Sequence, residues 1–77
     1  MDIATEVRAR RKLPAPAMRR AIREAAGVSQ LRCAGELGVT RMTISRWEAG
    51  VREPRGDHLV SYVTLLDELV ALTQDAS

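Results

Sequence analysis

Residues 30–49 read QLRCAGELGVTRMTISRWEA, and this stretch decides the fold. Gly38 divides it, because glycine accepts the positive φ that a tight turn demands. Ser29 is placed to cap a short helix over Gln30 to Leu37. Thr40 is placed to cap another that runs to Ala49, with Gly50 closing it. Ala34 is small enough for the two helices to approach closely, and Leu37, Val39, Ile44 and Trp47 supply apolar contacts that fix their crossing angle. At 100° per residue, Thr40, Ile44 and Trp47 point inward. Met42, Ser45, Arg46 and Ala49 point outward, with Arg41 on the flank.

Upstream, Pro16 to about Ala26 forms an amphipathic helix. Met18, Ala21, Ile22 and Ala25 are expected on its inner side, with Arg20 and Arg23 opposite. Gly27 is a candidate left-handed cap. Residues 1–13, MDIATEVRARRKL, are a basic arm or short helix set off by Pro14 and Pro16. Two readings of it stand side by side. Four of the five residues Arg8 to Lys12 are basic, so Arg8, Arg10, Arg11 and Lys12 can reach a nucleic-acid backbone or minor groove as basic arms do, or Ile3 and Val7 pack a short helix onto the body.

Downstream, residues 51–57 (VREPRGD) are a polar connection. A last helix runs from about 56 to 73, with Leu59, Tyr62, Val63, Leu66, Leu69, Val70 and Thr73 on one face. Leu65 and Leu72 lie beside Leu69 and form with it an apolar seam for a second copy, unless the arm folds over it. No strand pattern and no repeat appears. The expected fold is all-α, a bundle of four to five helices, with a body over residues 14–77.

Charge is unevenly placed. All 12 Lys and Arg lie between Arg8 and Arg55, so residues 1–55 carry a net +6 and residues 56–77 a net −4. A basic body with an acidic end points to a polyanionic partner. With 77 residues, a large catalytic cleft is hard to build. There is no phosphate-binding glycine loop and no nucleophile–base set, so an enzyme is not expected. His58 is a lone histidine, and Asp67 and Glu68 read as a solvated face, so no metal and no cofactor is expected. Cys33 has no disulfide partner and is expected buried and inert; Glu48 is expected to pair with a nearby arginine. Without an apolar run of membrane-spanning length or a secretory signal, the expectation is a cytoplasmic, nucleoid-associated protein.

Two short helices joined by a glycine turn form a helix-turn-helix pattern, whose second helix can lie in the major groove. Ala34, Gly38-Val39, Ile44, Trp47-Glu48-Ala49-Gly50 and Pro54 resemble the Cro and lambda-repressor-like, xenobiotic-response-element type of this motif, as found in bacteria and phage. The resemblance spans roughly Ala17 to Leu69. It implies a compact helical bundle that binds double-stranded DNA, commonly as a dimer. It assigns base reading to Arg41, Met42, Ser45 and Arg46, in agreement with the outward face read from the helical wheel. Gln30, Thr40, Arg52 and Arg55 are candidate phosphate contacts at helix starts and in the following connection. Cys33 stands where the family usually has a larger aliphatic residue. Leu31 replaces a usual polar residue and is expected under the N-terminal arm. The leading expectation is a transcriptional repressor that occludes a near-palindromic operator as a homodimer joined through the C-terminal helix. An antitoxin-like partner-binding module and a DNA-bending recombination factor are the alternatives. No small-molecule effector is expected.

Overall fold

The computed structural model describes residues 1–75 and contains five α-helices: α1 (Ile3–Lys12), α2 (Pro16–Ala25), α3 (Gln30–Leu37), α4 (Arg41–Ala49) and α5 (Gly56–Asp75). Local chemistry sets most of the boundaries. The Asp2 carboxylate accepts from the Thr5 amide at 2.7 Å, the Ser29 hydroxyl from Arg32 at 3.0 Å, and the Thr40 hydroxyl from Thr43 at 3.2 Å. Each satisfies one of the free N–H groups that open a helix. Pro16 opens α2, where its missing N–H costs nothing. Gly38 ends α3 at φ 69° and Gly50 ends α4 at φ 75°, in the left-handed region. A Cβ at Gly50 would also lie 3.0 Å from the Pro16 ring, so any side chain there would push α4 away from α2.

The main core gathers Cys33 and Ala34 of α3, Ile44 and Trp47 of α4, and Tyr62 and Leu66 of α5. The Trp47 and Tyr62 rings pack with centroids 4.8 Å apart and tilted by 39°. Burial pushes the Cys33 thiol above its ordinary pKa, which keeps it protonated and unreactive. Burial likewise raises the Tyr62 phenol, whose oxygen has no hydrogen-bond partner among the described residues. A smaller cluster joins Ala9 of α1 to Leu59 and Val63 of α5, and Leu13 touches both clusters.

Three expectations about packing are corrected. The inward residues here are Ala9 of α1 and Leu13 just after it, whereas Ile3 is 80% and Val7 45% exposed. The small Ala9 lets α1 lie directly on α5, and it covers Val60 and Val63 rather than Leu65 and Leu72. Leu31 is 68% exposed and is not covered by α1. In α2 the buried stripe is Arg19 and Arg23, not the apolar set. Of that set Ile22 reaches the core, while Met18, Ala21 and Ala25 are exposed. Together with Val70, Thr73 and Gln74 of α5, these four residues line an open, apolar groove.

No helix among the described residues is long and apolar enough to cross a membrane.

Candidate nucleic-acid interface

The surface of interest is built from α4. Its back is fixed by Ile44 and Trp47, both buried in the core. Glu48 follows on the same side and is also buried. Arg23 of α2 meets the Glu48 carboxylate with two donors, Nε to Oε2 and Nη2 to Oε1, the second at 2.9 Å. The same guanidinium donates from Nη1 to the Val28 carbonyl at 2.9 Å. Gln30 adds a third donor to Glu48, from Nε2 to Oε1 at 3.0 Å. Burial opposes ionisation of Glu48, but the hydrogen bonds from Arg23 and Gln30 outweigh it and hold the carboxyl below its ordinary pKa. The hydrogen bond to Glu48 in turn raises the Arg23 pKa. One ion pair thus ties α2 and the start of α3 to the end of α4.

A second arginine works beside the first. Arg19, one turn earlier on α2, is 4% exposed. Its Nε donates to the Pro14 carbonyl at 2.7 Å and its Nη1 to the Trp47 carbonyl at 2.9 Å. Nη1 and Nη2 also reach the two carboxylate oxygens of Glu53 at 3.3 and 3.0 Å.

The front of α4 is different. Arg41, Met42, Arg46 and Ala49 are exposed, and Ser45 is half-buried at the edge. Arg52 and Arg55, in the connection to α5, are exposed on either side of Glu53 and the buried Pro54. None of these four guanidinium groups has a hydrogen bond or ion pair among the described residues. Small groups and free guanidinium groups thus share the face that the wheel placed outward. Such a face can enter a groove and offer paired donors to base edges or single donors to phosphates.

The remaining candidates fall in several places. Gln30 is half-buried and its side chain is engaged with Glu48, which leaves its second amide hydrogen and the backbone at the start of α3. Thr40 is exposed rather than inward; its hydroxyl caps α4 and lies 3.0 Å from the Thr43 hydroxyl. The geometry of the turn puts it at the rim, because a capping residue sits outside the helical spiral. Arg8, Arg10, Arg11 and Lys12 are all exposed on α1. Arg8 donates to Thr5 and Arg10 to the Pro54 carbonyl, each at 3.5 Å, so the basic end of α1 abuts the connection that carries Arg52 and Arg55.

The leucine seam is corrected in part. Leu69 is 8% exposed and belongs to the protomer's own core, and Leu65 is half-buried against the main core beside Cys33, Glu36 and Leu37 of α3. Leu72 alone of the three stands clear, 65% exposed. The long α5 turns its middle inward against three other helices, so a leucine there meets its own chain first.

Arg19, Arg23 and Glu53 escaped the reading of the sequence. A signal was present: the arginines are four apart on α2, and Glu48 and Glu53 are five apart around the end of α4. His58 lies at the surface, its ring centroid 6.3 Å from that of Trp47. No group of three or more His, Cys, Asp or Glu among the described residues is arranged to hold a metal ion.

A family model described as helix-turn-helix matches residues 20–69, from α2 through most of α5. Comparison with curated proteins and with solved structures found no match.

Proposed function

The chain belongs to the helix-turn-helix family of the Cro and lambda-repressor-like, xenobiotic-response-element type, and from this premise we propose that it is a sequence-specific repressor that occludes its operator. Family membership implies DNA binding, and the family is typically non-catalytic. The finer reading is ours. The observation that supports it is the contrast across α4, whose back is pinned by Trp47 and Glu48 while Arg41 and Arg46 stand unpaired on its front.

In this reading α4 enters the major groove. Arg46 and Arg41 each offer a planar fork to guanine O6 and N7, a contact worth ~1–3 kcal/mol of discrimination. Met42 meets a thymine methyl, and Ser45 a base or phosphate. Gln30 and Thr40 approach one stretch of backbone from the starts of α3 and α4. Arg52 and Arg55 grip another stretch. Arg8, Arg10, Arg11 and Lys12 extend that grip from α1, as a helix on the flank rather than a free arm in the minor groove. Repression is the effect this reading assigns when the site overlaps a promoter, where a protein seated in the groove excludes others.

Selection of bound duplexes from a random pool tests this. The expected result is one enriched motif containing guanine, with affinity that falls steeply as salt rises through counterion release. Recovery of unbiased sequence would end the claim of specificity.

A second copy is the natural partner in this scheme. Support comes from the open groove of Met18, Ala21, Ile22 and Ala25 against Val70 and Thr73, with the exposed Leu72 nearby on α5. A two-fold dimer with its recognition helices in successive major grooves holds them about 34 Å apart. The enriched motif should then be near-palindromic, and Leu72→Asp should weaken both self-association in light scattering and DNA binding. A single half-site motif with a monomer at all concentrations refutes the dimer and leaves the DNA reading intact.

A further inference from the structure

We propose that Arg19 is a positioning residue for DNA binding: it fixes the connection after α4 so that Arg52 and Arg55 are already set to meet phosphates. The inference rests on the reading of Arg52 and Arg55 as phosphate contacts.

The geometry is that of a staple. One guanidinium, 4% exposed, holds three chain segments at once. It takes the Pro14 carbonyl in the link between α1 and α2, the Trp47 carbonyl at the end of α4, and both oxygens of Glu53 in the connection to α5. The Trp47 carbonyl is one of the last in α4, where four carbonyls lose their helical partners. The guanidinium therefore caps α4 and anchors the following segment with the same plane of donors. A lysine could not do this, because it lacks the planar fork.

Stability alone is a weak reason to bury such a group. Arg19 is buried but Glu53 is 43% exposed, so water screens the pair and its net return in stability is small; the other consequence of these bonds is a fixed conformation. Here the conformational consequence is local and specific. Glu53 and the fully buried Pro54 are pinned, and the residues on either side, Arg52 and Arg55, are exposed and unpaired. A short connection without regular structure would otherwise sample many arrangements and lose that freedom on meeting DNA. The staple removes the freedom in advance.

Glu53→Ala is the informative variant, because Glu53 is 43% exposed and its loss leaves Arg19 bonded to Pro14 and Trp47. The probe is a random-sequence DNA duplex, and the readouts are its affinity at fixed salt and the slope of log affinity against log salt concentration. Each lost phosphate contact lowers that slope by about 0.9. Arg52→Ala/Arg55→Ala is expected to lower it by about 1.8 in total. Glu53→Ala should leave the slope near wild type, because Arg52 and Arg55 still reach phosphates. It should nevertheless weaken affinity for the random duplex several-fold through the ordering cost, against the gain expected from losing a negative charge. Added to the double alanine variant, Glu53→Ala should cause no such loss. On the duplex enriched by selection, its ratio of specific to random affinity should stay within about twofold of wild type, since base readout is untouched. Arg19→Met should match Glu53→Ala if its thermal melt shows a folded chain, and Glu53→Ala decides the matter if it does not. Undiminished affinity for Glu53→Ala beside a reduced slope for the double alanine variant overturns the positioning role and leaves the phosphate reading standing. A wild-type slope for the double alanine variant overturns both.

Discussion

Helices α2 and α4 each carry arginines on adjacent turns, and they use them in opposite ways. In α2, Arg19 and Arg23 turn inward and are spent on Glu53, Glu48 and backbone carbonyls. In α4, Arg41 and Arg46 turn outward, and their guanidinium groups have no hydrogen bond or ion pair among the described residues. Residue type does not separate them. What separates them is whether a carboxylate waits on the facing element. Glu48 and Glu53 stand on the back and at the end of α4, so the guanidinium groups of α2 are neutralised there. The front of α4 has no such carboxylate, and its positive charge stays available to a polyanion. One set of arginines builds the platform, and the other is carried on it.

The largest expected effect breaks the buried side of this comparison. Glu48→Ala leaves the Arg23 guanidinium buried without its partner, which costs about 3–5 kcal/mol. For a chain of this size each kcal/mol is worth about 4–8 °C, so the thermal midpoint should fall by at least about 12 °C. The same pair gives a pH signature. The Glu48 carboxyl has a lowered pKa in the folded chain, because hydrogen bonds from Arg23 and Gln30 prevail over burial. Its contribution is therefore fully present above the ordinary glutamate range, near pH 4–5, and is lost as pH falls through the lowered value. Urea midpoints should decline below about pH 4 in wild type and decline less in Glu48→Gln. Equal acid slopes in the two proteins would contradict the assignment.

The next effect falls on the exposed side and should leave stability alone. Arg46→Ala removes a guanidinium with no hydrogen bond or ion pair among the described residues, so its thermal midpoint should stay close to wild type. DNA affinity should drop by ~1–3 kcal/mol on the enriched site, with preference relaxed at one base. An equal loss on random DNA would reassign Arg46 to phosphate. The two variants together sharpen the contrast, because one should damage folding and the other recognition.

The sequence made one side of the comparison readable and concealed the other. The turn at Gly38, the caps at Ser29 and Thr40, and the inward Ile44 and Trp47 are local signals, and the structure has them where the pattern put them. The outward set on α4 followed from the same wheel, with Thr40 the exception because it caps rather than continues the helix. Arg19 and Arg23 were concealed because a wheel treats arginine as solvent-facing, and their carboxylate partners lie 34 and 25 residues away. The packing of α1 was concealed for another reason. Apolar periodicity picked out Ile3 and Val7, while contact with α5 is made through Ala9, whose small size is the asset. Leu69 was legible as core and as seam at once, and only the tertiary arrangement settles it inside.

The smallest effect calibrates the rest. Arg20 lies next to Arg19 on α2 yet points outward, paired to Glu24 four residues on at 3.2 Å. Both partners are more than half exposed, so water and salt screen the pair and its entropy cost is not recovered by burial. Arg20→Ala should therefore change stability by only about 0.3–0.5 kcal/mol, near the limit of a urea melt. It should also leave the salt slope of DNA binding unchanged if α2 stays outside the contacted backbone. The three arginines of α2 then form a graded series within five residues, two buried and structural and one exposed and nearly silent. A loss at Arg20 as large as that at Glu48 would mean that burial is not what gives the α2 arginines their weight.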